Sequence, residues 1–176
     1  LLCDEATSAL DLENTEEIVS LLKEINEKYH ITIVFITHEM EVAKKLFDRI
    51  AFMENGEIKE VRDIYSAFAE PREEITKSLV ERVLNVGVPD EVKLSEEEEL
   101  VKLCYTGEKA YASVISQVSK QFDVVIDIIN GKIDYIHGKP LGVLIVIVRG
   151  RNEEREKALR YMKENVYRVE ELEGGR

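Results

Sequence analysis

Two apolar runs that each end in polar residues constrain the fold of the first third of the chain. Residues 1–3 (LLC) lead into Asp4 and Glu5, and residues 31–36 (ITIVFI) lead into residues 37–39 (THE). An uninterrupted run of six β-branched, apolar and aromatic residues is typical of a strand that is buried on both faces. We therefore expect two buried strands whose carboxyl ends carry the polar residues.

Helical periodicity separates these two predicted strands. Asn14 or Thr15 is placed to cap a helix over residues 14–28. The apolar residues of this stretch recur at the three- and four-residue spacing of one helix face: Ile18, Leu21, Leu22 and Ile25. A strand, a helix and a second buried strand are typical of a parallel sheet.

The α/β pattern continues beyond the second strand. The periodicity predicts a helix over 39–47 and strands over 49–54 and 57–62, with an Asn-Gly turn at residues 55–56. We expect residues 1–62 to form a parallel α/β sheet. The stretch that follows, residues 63–92, is interrupted by Pro71 and is predicted to be a helical connector rather than a flexible linker.

The remaining residues, 93–176, have the pattern of a complete small domain in the order β-α-β-β-α-β. This order is the ferredoxin-like split pattern. A turn at Asn130-Gly131 is expected between the strands predicted at 124–130 and 132–136. The predicted elements are a strand at 98–106, a helix at 110–122, strands at 124–130, 132–136 and 140–149, a helix at 152–164 and a strand at 166–173.

Charge separates the chain into the same two parts. The 24 Lys and Arg against 36 Asp and Glu give a net charge of −12. Residues 1–92 carry −11 of it and residues 93–176 carry −1, which supports two units. An acidic chain lacks the basic surface that nucleic-acid binding requires, so we expect no nucleic-acid partner.

The polar ends of the first two strands form the candidate catalytic site. In an open parallel sheet, ligands bind at the carboxyl ends of the strands, where Asp4, Glu5 and His38 are expected to lie together. An Asp that holds Mg²⁺, a carboxylate that orients water and an imidazole near the γ-phosphate fit phosphoryl transfer. Solvated acids after a strand are the common alternative, and the second polar strand end favours the catalytic interpretation.

These residues resemble a known family. The segment LLCDEATSALD resembles the Walker B and D-loop segment of ABC-transporter ATPases, and ITHEM resembles their switch-histidine segment. The resemblance implies that Asp4 holds Mg²⁺ through water, that Glu5 is the catalytic base and that His38 is the switch histidine. It makes Ser8 to Asp11 the D-loop, with Ser8 and Asp11 contributing to nucleotide binding across a homodimer, and it implies ATP and Mg²⁺ as cofactors.

Two motifs of that family do not occur in these 176 residues: the G-x-x-x-x-G-K-[ST] phosphate loop and an LSGGQ-like signature. We therefore expect the chain to be the C-terminal part of a longer subunit, with a truncated P-loop sheet that hydrolyses no ATP by itself. Residues 1–62 are expected not to fold alone because their sheet is incomplete, whereas residues 93–176 are expected to fold alone.

The C-terminal part carries a second resemblance. The segments FDVVIDIINGKIDYIHGKPLGVLIVIVRG and KALRYMKENVYRVEEL are similar to the NIL domain, an ACT-like regulatory unit at the end of the ATPase subunit of bacterial methionine importers. The resemblance implies an importer subunit that lies at the cytoplasmic face of the membrane and works with a transmembrane permease. It also implies that the NIL domains pair in a homodimer, where cytoplasmic methionine binds and slows transport.

Four residues form the predicted methionine site. Asp127 interrupts an apolar run where the family often has Asn, and its carboxylate needs a donor or water. Gly142 lets a ligand come close because it has no side chain. We expect the ligand's ammonium on Asp127 and its thioether beside Ile129 and Leu141. The alternative for Asp127 is the polar face of an alternating strand.

Other functions remain open at this stage. The fragment can instead be a structural or dimerisation module whose ligand site is lost. An unrelated ABC protein of DNA repair or of the ribosome is disfavoured by the NIL-like tail. The transported substrate can also be D-methionine or a methionine derivative.

Overall fold

The computed structural model describes residues 1–89, 91–107, 109 and 113–172, and it contains two compact units, Leu1–Lys77 and Ser78–Arg176. None of the described helices is both long enough and apolar enough to cross a membrane. The first unit contains β1 (Leu2–Asp4), α1 (Leu12–Tyr29), β2 (Val34–Ile36), α2 (Met40–Leu46), β3 (Arg49–Glu54), β4 (Glu57–Asp63) and α3 (Ile64–Ala69). The boundary between the units falls within α4 (Glu74–Leu84).

The strands of the first unit form two separate sheets. β1 and β2 pair in parallel, with Leu2 opposite Val34 and Asp4 opposite Ile36. β3 and β4 form an antiparallel hairpin of their own, joined at residues 55–56. The prediction of one parallel sheet over residues 1–62 was therefore wrong for β3 and β4, because a two-residue turn returns the chain antiparallel to the preceding strand.

The second strand is less buried than its sequence predicts. Only Val34–Ile36 of the apolar run form the strand, and the exposed fractions of Val34 and Ile36 are 56% and 52%. Leu2 on the paired strand is 70% exposed. Burial on both faces was therefore a wrong prediction for this strand, because the described residues provide only two strands for this sheet and leave much of its apolar surface uncovered.

Helix α1 begins earlier than predicted because Asp11, rather than Asn14 or Thr15, caps it. The Asp11 carboxylate accepts a hydrogen bond from the backbone N–H of Asn14 at 2.9 Å. The buried face also differs from the predicted one. Leu22 is buried as expected, but Leu21 is 51% exposed.

A buried carboxylate on β4 fixes the start of α4 within the first unit. Glu60 accepts hydrogen bonds from the Thr76 hydroxyl at 2.6 Å and from the Glu73 backbone N–H at 3.3 Å. Burial alone would raise the pKa of the Glu60 carboxyl. The effect of burial is outweighed by these two hydrogen bonds together with a third from the Arg72 backbone and the nearby Arg62 charge, and the pKa is held below its ordinary value of 4.5. The ionised carboxylate therefore ties β4 to the first turn of α4.

The second unit contains a four-stranded antiparallel sheet with the strand order β6-β7-β5-β8. Its chain order is β-α-β-β-α-β. Its elements after α4 are β5 (Glu98–Thr106), α5 (Val114–Gln121), β6 (Val124–Ile136), β7 (Lys139–Gly150), α6 (Asn152–Asn165) and β8 (Arg168–Leu172). Residues 110–112 of the predicted helix and residue 173 of the predicted last strand lie outside the described residues.

β6 is one strand, whereas the sequence predicted two strands around a turn at Asn130-Gly131. The observed turn lies at His137 and Gly138, where φ is 49° and 74°. Gly131 instead lies inside β6, where a Cβ would meet the Leu144 side chain and the Val143 carbonyl of β7. Gly131 thus allows β6 and β7 to approach closely. The pairing register of the two strands shifts at a β-bulge after Ile128.

Both faces of this sheet are covered by apolar side chains. On one face, the valines and leucines of β5 and β7 pack against α5 and α6. On the other face, Leu100, Ile145 and Ile147 are at most 5% exposed. The residues packed against them include four from the segment before β5: Val86, Val88, Val92 and Leu94. These four side chains therefore belong to the hydrophobic core of the second unit.

We expect a fragment of residues 78–176 to be more stable than a fragment of residues 93–176. The shorter fragment lacks Val86, Val88 and Val92 and exposes part of the apolar sheet face, which should cost about 2 kcal/mol or more. Urea denaturation of both fragments measures the difference. Replacing these three valines with serine in the longer fragment should reproduce the loss, and equal stabilities of the two fragments would contradict the packing described here.

Candidate functional site

The parallel pairing of β1 and β2 determines which polar residues lie together. Asp4 ends β1 opposite Ile36, and the backbone N–H of Glu5 donates to the Ile36 carbonyl at 2.9 Å. The two strands therefore end side by side, and the residues that follow them meet at the same edge of the sheet.

Glu5 and His38 contact each other at this edge. The Glu5 Oε1 atom lies 3.1 Å from His38 Nδ1, and both side chains are exposed. The backbone of Glu5 is in the left-handed region, with φ at 44°, which non-glycine residues rarely adopt. The structure thus brings together the two residues to which the sequence assigned catalysis, while the catalytic roles themselves stay predictions.

The two D-loop residues make local contacts. The Ser8 hydroxyl donates to the Glu5 carbonyl at 3.0 Å and the Ser8 backbone N–H donates to the same oxygen at 3.1 Å. Asp11 caps α1 through the Asn14 backbone. These bonds hold the loop in tight turns directly after Glu5. Nucleotide binding by Ser8 and Asp11 stays a prediction.

Thr7 and Glu39 were missed by sequence reasoning. Thr7 is fully buried and its hydroxyl donates to the Glu39 carboxylate, while the Glu39 backbone N–H donates to Thr37 Oγ1 at 2.9 Å. The contact fastens the loop after β1 to the segment after β2, which positions Glu5 and His38 relative to each other. Nothing in one sequence marks this pair, because its members are 32 positions apart.

The described residues contain no group of three or more His, Cys, Asp or Glu side chains that could hold a metal ion. Asp4 is an exposed carboxylate at the strand end. Mg²⁺ in nucleotide sites is commonly held through one or two carboxylates together with water and phosphate oxygens. The donor chemistry of Asp4 therefore fits Mg²⁺ bound with a nucleotide, but not a metal site closed by protein ligands alone.

In the second unit, the Asp127 carboxylate is paired with a cationic side chain. Its Oδ2 atom lies 2.9 Å from an Arg149 guanidinium nitrogen, and the Arg149 Nε contacts Glu98. A hydrogen bond from the Ser95 backbone lowers the pKa of Glu98, with Arg149 adding to the effect. Sequence reasoning missed Arg149, because only the register of β5, β6 and β7 shows that it neighbours Asp127.

Of the other three predicted ligand residues, Ile129 lies two positions from Asp127 on β6, whereas Leu141 and Gly142 lie away from it on β7. Asp127 pairs with Ile147, six positions along β7 from Leu141, a separation of about 20 Å. Tyr105 is the cross-strand neighbour of Gly142, and a Cβ on Gly142 would be in ordinary van der Waals contact with it, 3.4 Å from the Tyr105 Cβ. The predicted cluster of four residues is therefore not assembled within one copy of the chain.

Tyr105 itself carries an unusual hydroxyl. The side chain is only 8% exposed, and among the described residues its hydroxyl has no hydrogen-bond partner. Burial raises the pKa of Tyr105 to about 12, so the phenol is neutral at physiological pH.

Comparison with known proteins gives one family and a consistent set of relatives. The NIL domain model matches residues 99–171. Methionine import ATP-binding protein MetN 1 of Oceanobacillus iheyensis is 44% identical over 173 residues, which are 98% of this chain and 51% of the relative. MetN 1 of Bacillus licheniformis is 40% identical over 172 residues, 98% of this chain and 52% of the relative. MetN 2 of Pectobacterium atrosepticum is 40% identical over 176 residues, 99% of this chain and 52% of the relative. The chain spans about half the length of the curated relatives it matches.

We expect Thr7→Val to lower the free energy of unfolding by about 2 kcal/mol, because a buried hydrogen bond to a carboxylate is lost at constant side-chain volume. Ser8→Ala is the matched control on the same loop. It removes only an exposed hydrogen bond and should stay within about 0.5 kcal/mol of wild type. Urea denaturation measures both variants, and a Thr7→Val variant as stable as wild type would show that the pair fastens nothing.

Proposed function

We propose that this chain forms part of the ATP-binding subunit of an ABC importer for methionine. The premise is that the chain is related over nearly its whole length to the ATP-binding subunits of bacterial methionine importers and matches the NIL domain model. The observation that carries the proposal is the identity of 44% over 98% of the chain. The contact between Glu5 and His38 supports it independently, because it places a carboxylate and an imidazole at one sheet edge.

In this proposal, residues 1–62 are the C-terminal part of a nucleotide-binding domain with a truncated P-loop sheet. Asp4 holds Mg²⁺ through water, Glu5 accepts a proton from the attacking water, and His38, 3.1 Å from Glu5, approaches the γ-phosphate. The side chains of Leu2, Val34 and Ile36 are apolar but exposed, which supports the proposal that further strands of the subunit complete this sheet.

Residues 93–176, with the connector of residues 63–92 before them, are proposed to sense methionine through a ferredoxin-like, ACT-like NIL domain. The pair of Asp127 and Arg149 offers both charges that a zwitterionic amino acid needs. Arg149 also offsets the repulsion between the Asp127 carboxylate and the carboxylate of the ligand. The site is therefore proposed around Asp127, Ile129 and Arg149, and it does not include Leu141 and Gly142, which are buried on β7.

A second candidate function is dimerisation without a ligand. β6 lies at the edge of the sheet and exposes four large side chains: Val125, Ile128, Ile133 and Tyr135, each at least 58% exposed. An exposed edge strand with apolar side chains can pair with the same strand of a second copy. We propose that the NIL domains form a homodimer in this way, whether or not a ligand binds.

The remaining parts of the proposal concern the assembly. The subunit lies at the cytoplasmic face of the membrane, as a peripheral protein bound to a transmembrane permease. Its nucleotide-binding domains pair as a homodimer around ATP, and the acidic net charge of −12 is consistent with no nucleic-acid partner.

We expect the purified chain to show no ATP hydrolysis above background, because its sequence has no phosphate loop to hold the β- and γ-phosphates. A phosphate-release assay with Mg²⁺ and ATP measures this, with Glu5→Gln as the control. Turnover that disappears in Glu5→Gln would show that these residues catalyse without a phosphate loop.

We expect Asp127→Ala to weaken the binding of L-methionine at least tenfold and Asp127→Asn to retain it, because an amide keeps the polar contact without repelling the ligand's carboxylate. Isothermal titration calorimetry on the whole chain measures both. Asp123→Ala is the matched control, since Asp123 pairs with Arg151 at 3.5 Å elsewhere on the domain. Unchanged affinity in Asp127→Ala would move the site, and no heat with any amino acid would favour the dimerisation module.

A further inference from the structure

Lys44 is a buried cation near the candidate catalytic site. It lies on α2, the helix that begins two residues after His38, and its side chain is only 5% exposed. Met40, Ala43 and Lys44 recur at the spacing of one helix face, and all three are buried. A cation therefore occupies a position where the amphipathic pattern of α2 predicts an apolar residue.

The neighbours of Lys44 offset the cost of burying its charge. The Lys44 ammonium lies 5.8 Å from the centre of the Phe68 ring on α3, which is within the range of a cation–π contact. It also lies 2.9 Å from a carboxylate oxygen of Glu41, one turn earlier on α2. Phe68 is only 2% exposed, so the ammonium meets the ring away from water, where such a contact is strongest. The contact therefore favours the arrangement of α2 on α3 that places the ammonium over the ring.

The start of α2 depends on packing of this kind. The Glu39 side chain does not cap α2, and its carboxylate accepts a hydrogen bond from the Thr7 hydroxyl instead. His38 directly precedes Glu39, and its contact with Glu5 is exposed, with the two side chains 72% and 53% exposed. An exposed pair contributes little to holding its own geometry. The distance between the His38 imidazole and the Glu5 carboxylate therefore follows the position of α2.

We propose that Lys44 is a positioning residue for His38: its contact with Phe68 holds α2 on α3 in the arrangement that keeps His38 beside Glu5. An apolar side chain of similar length would fill the same space, since a buried charge can often be replaced by a hydrophobic residue without loss of stability. It would not select this position of α2 over neighbouring ones, because apolar packing is not directional. The charge of Lys44 thus specifies a position. The inference rests on the proposed function for the role of His38 at the γ-phosphate, but not for its contact with Glu5.

The tautomer of His38 reports this contact. An ionised carboxylate can only accept hydrogen bonds, so a neutral imidazole that contacts Glu5 through Nδ1 must carry its proton on that nitrogen. An imidazole released into water prefers the proton on Nε2. Long-range ¹H–¹⁵N correlation spectra of the ¹⁵N-labelled whole chain, recorded at about pH 8.5 where free imidazoles are neutral, distinguish the two forms. The chain has three histidines, so His38→Asn assigns the signals and the other two serve as internal references.

We expect Lys44→Met to remain folded but to lower the ratio of the Nδ1–H to the Nε2–H tautomer at His38 several-fold. Lys44→Arg keeps a cation that can lie over an aromatic ring and should retain the wild-type ratio. Lys45→Met is the matched control. Lys45 pairs with Glu16 at the surface, with both side chains more than half exposed, so its replacement should leave the ratio unchanged.

Phe68→Leu tests the same contact from α3 and serves in case Lys44→Met unfolds. It should lower the ratio as Lys44→Met does, and the double variant should lower it no further, because both changes remove one contact. A wild-type ratio in either folded single variant, additive losses in the double variant, or unfolding of both single variants would overturn the inference.

The inference and the proposed function fail on different results. An Nε2–H tautomer at His38 of the wild-type chain would overturn the inference, but it would leave the relationship to importer subunits that carries the proposed function. A complete subunit that hydrolyses ATP at an unchanged rate with His38→Asn would remove the proposed role of His38 at the γ-phosphate. The tautomer ratios of the Lys44 and Phe68 variants would still decide the positioning role.

Discussion

The second unit depends on the need to cover both faces of a four-stranded sheet. α5 and α6 cover one face, and the other carries Leu100, Ile145 and Ile147, against which side chains of the segment before β5 and of the neighbouring strands pack. Burying such side chains contributes about 1.5–3 kcal/mol each. The segment that leads into the domain is therefore held by the same apolar contacts that stabilise it, and changes on this sheet face act directly on that segment.

In the first unit, the pairing of β1 with β2 determines where the candidate catalytic residues lie. Only three residue pairs join β1 and β2, yet they place Glu5 and His38 within 3.1 Å. So short a ladder fixes the geometry weakly, and the buried contact of Thr7 with Glu39 supplies a second connection between the same two segments. Thr7, to which no catalytic role is assigned, thus helps to position the Glu5 carboxylate relative to the His38 imidazole.

The sequence predicted what local patterns encode and missed what strand register decides. The β-α-β-β-α-β order and the meeting of Glu5 with His38 follow from periodicity and from the direction of parallel strands. The continuous β6 was not predicted, because Asn130-Gly131 is a strong turn signal, and only the pairing of Gly131 with Leu144 on β7 shows that the strand continues. The partners of Asp127 and Gly142, namely Arg149 and Tyr105, lie on other strands, where no local pattern identifies them.

Ligand binding in this domain can influence the rest of a subunit only through a difference in affinity between two conformations. In the proposed sensing function, Val86, Val88, Val92 and Leu94 are suited to carry that difference, because they pack on the sheet face that bears Asp127. A ligand at a hundred times its dissociation constant stabilises the conformation it binds by about 2.7 kcal/mol. That is comparable to the burial of one or two valines. Under the proposed sensing function, a weakly bound ligand therefore suffices to hold these side chains in place, and tight binding would only make the response insensitive to changes in ligand concentration.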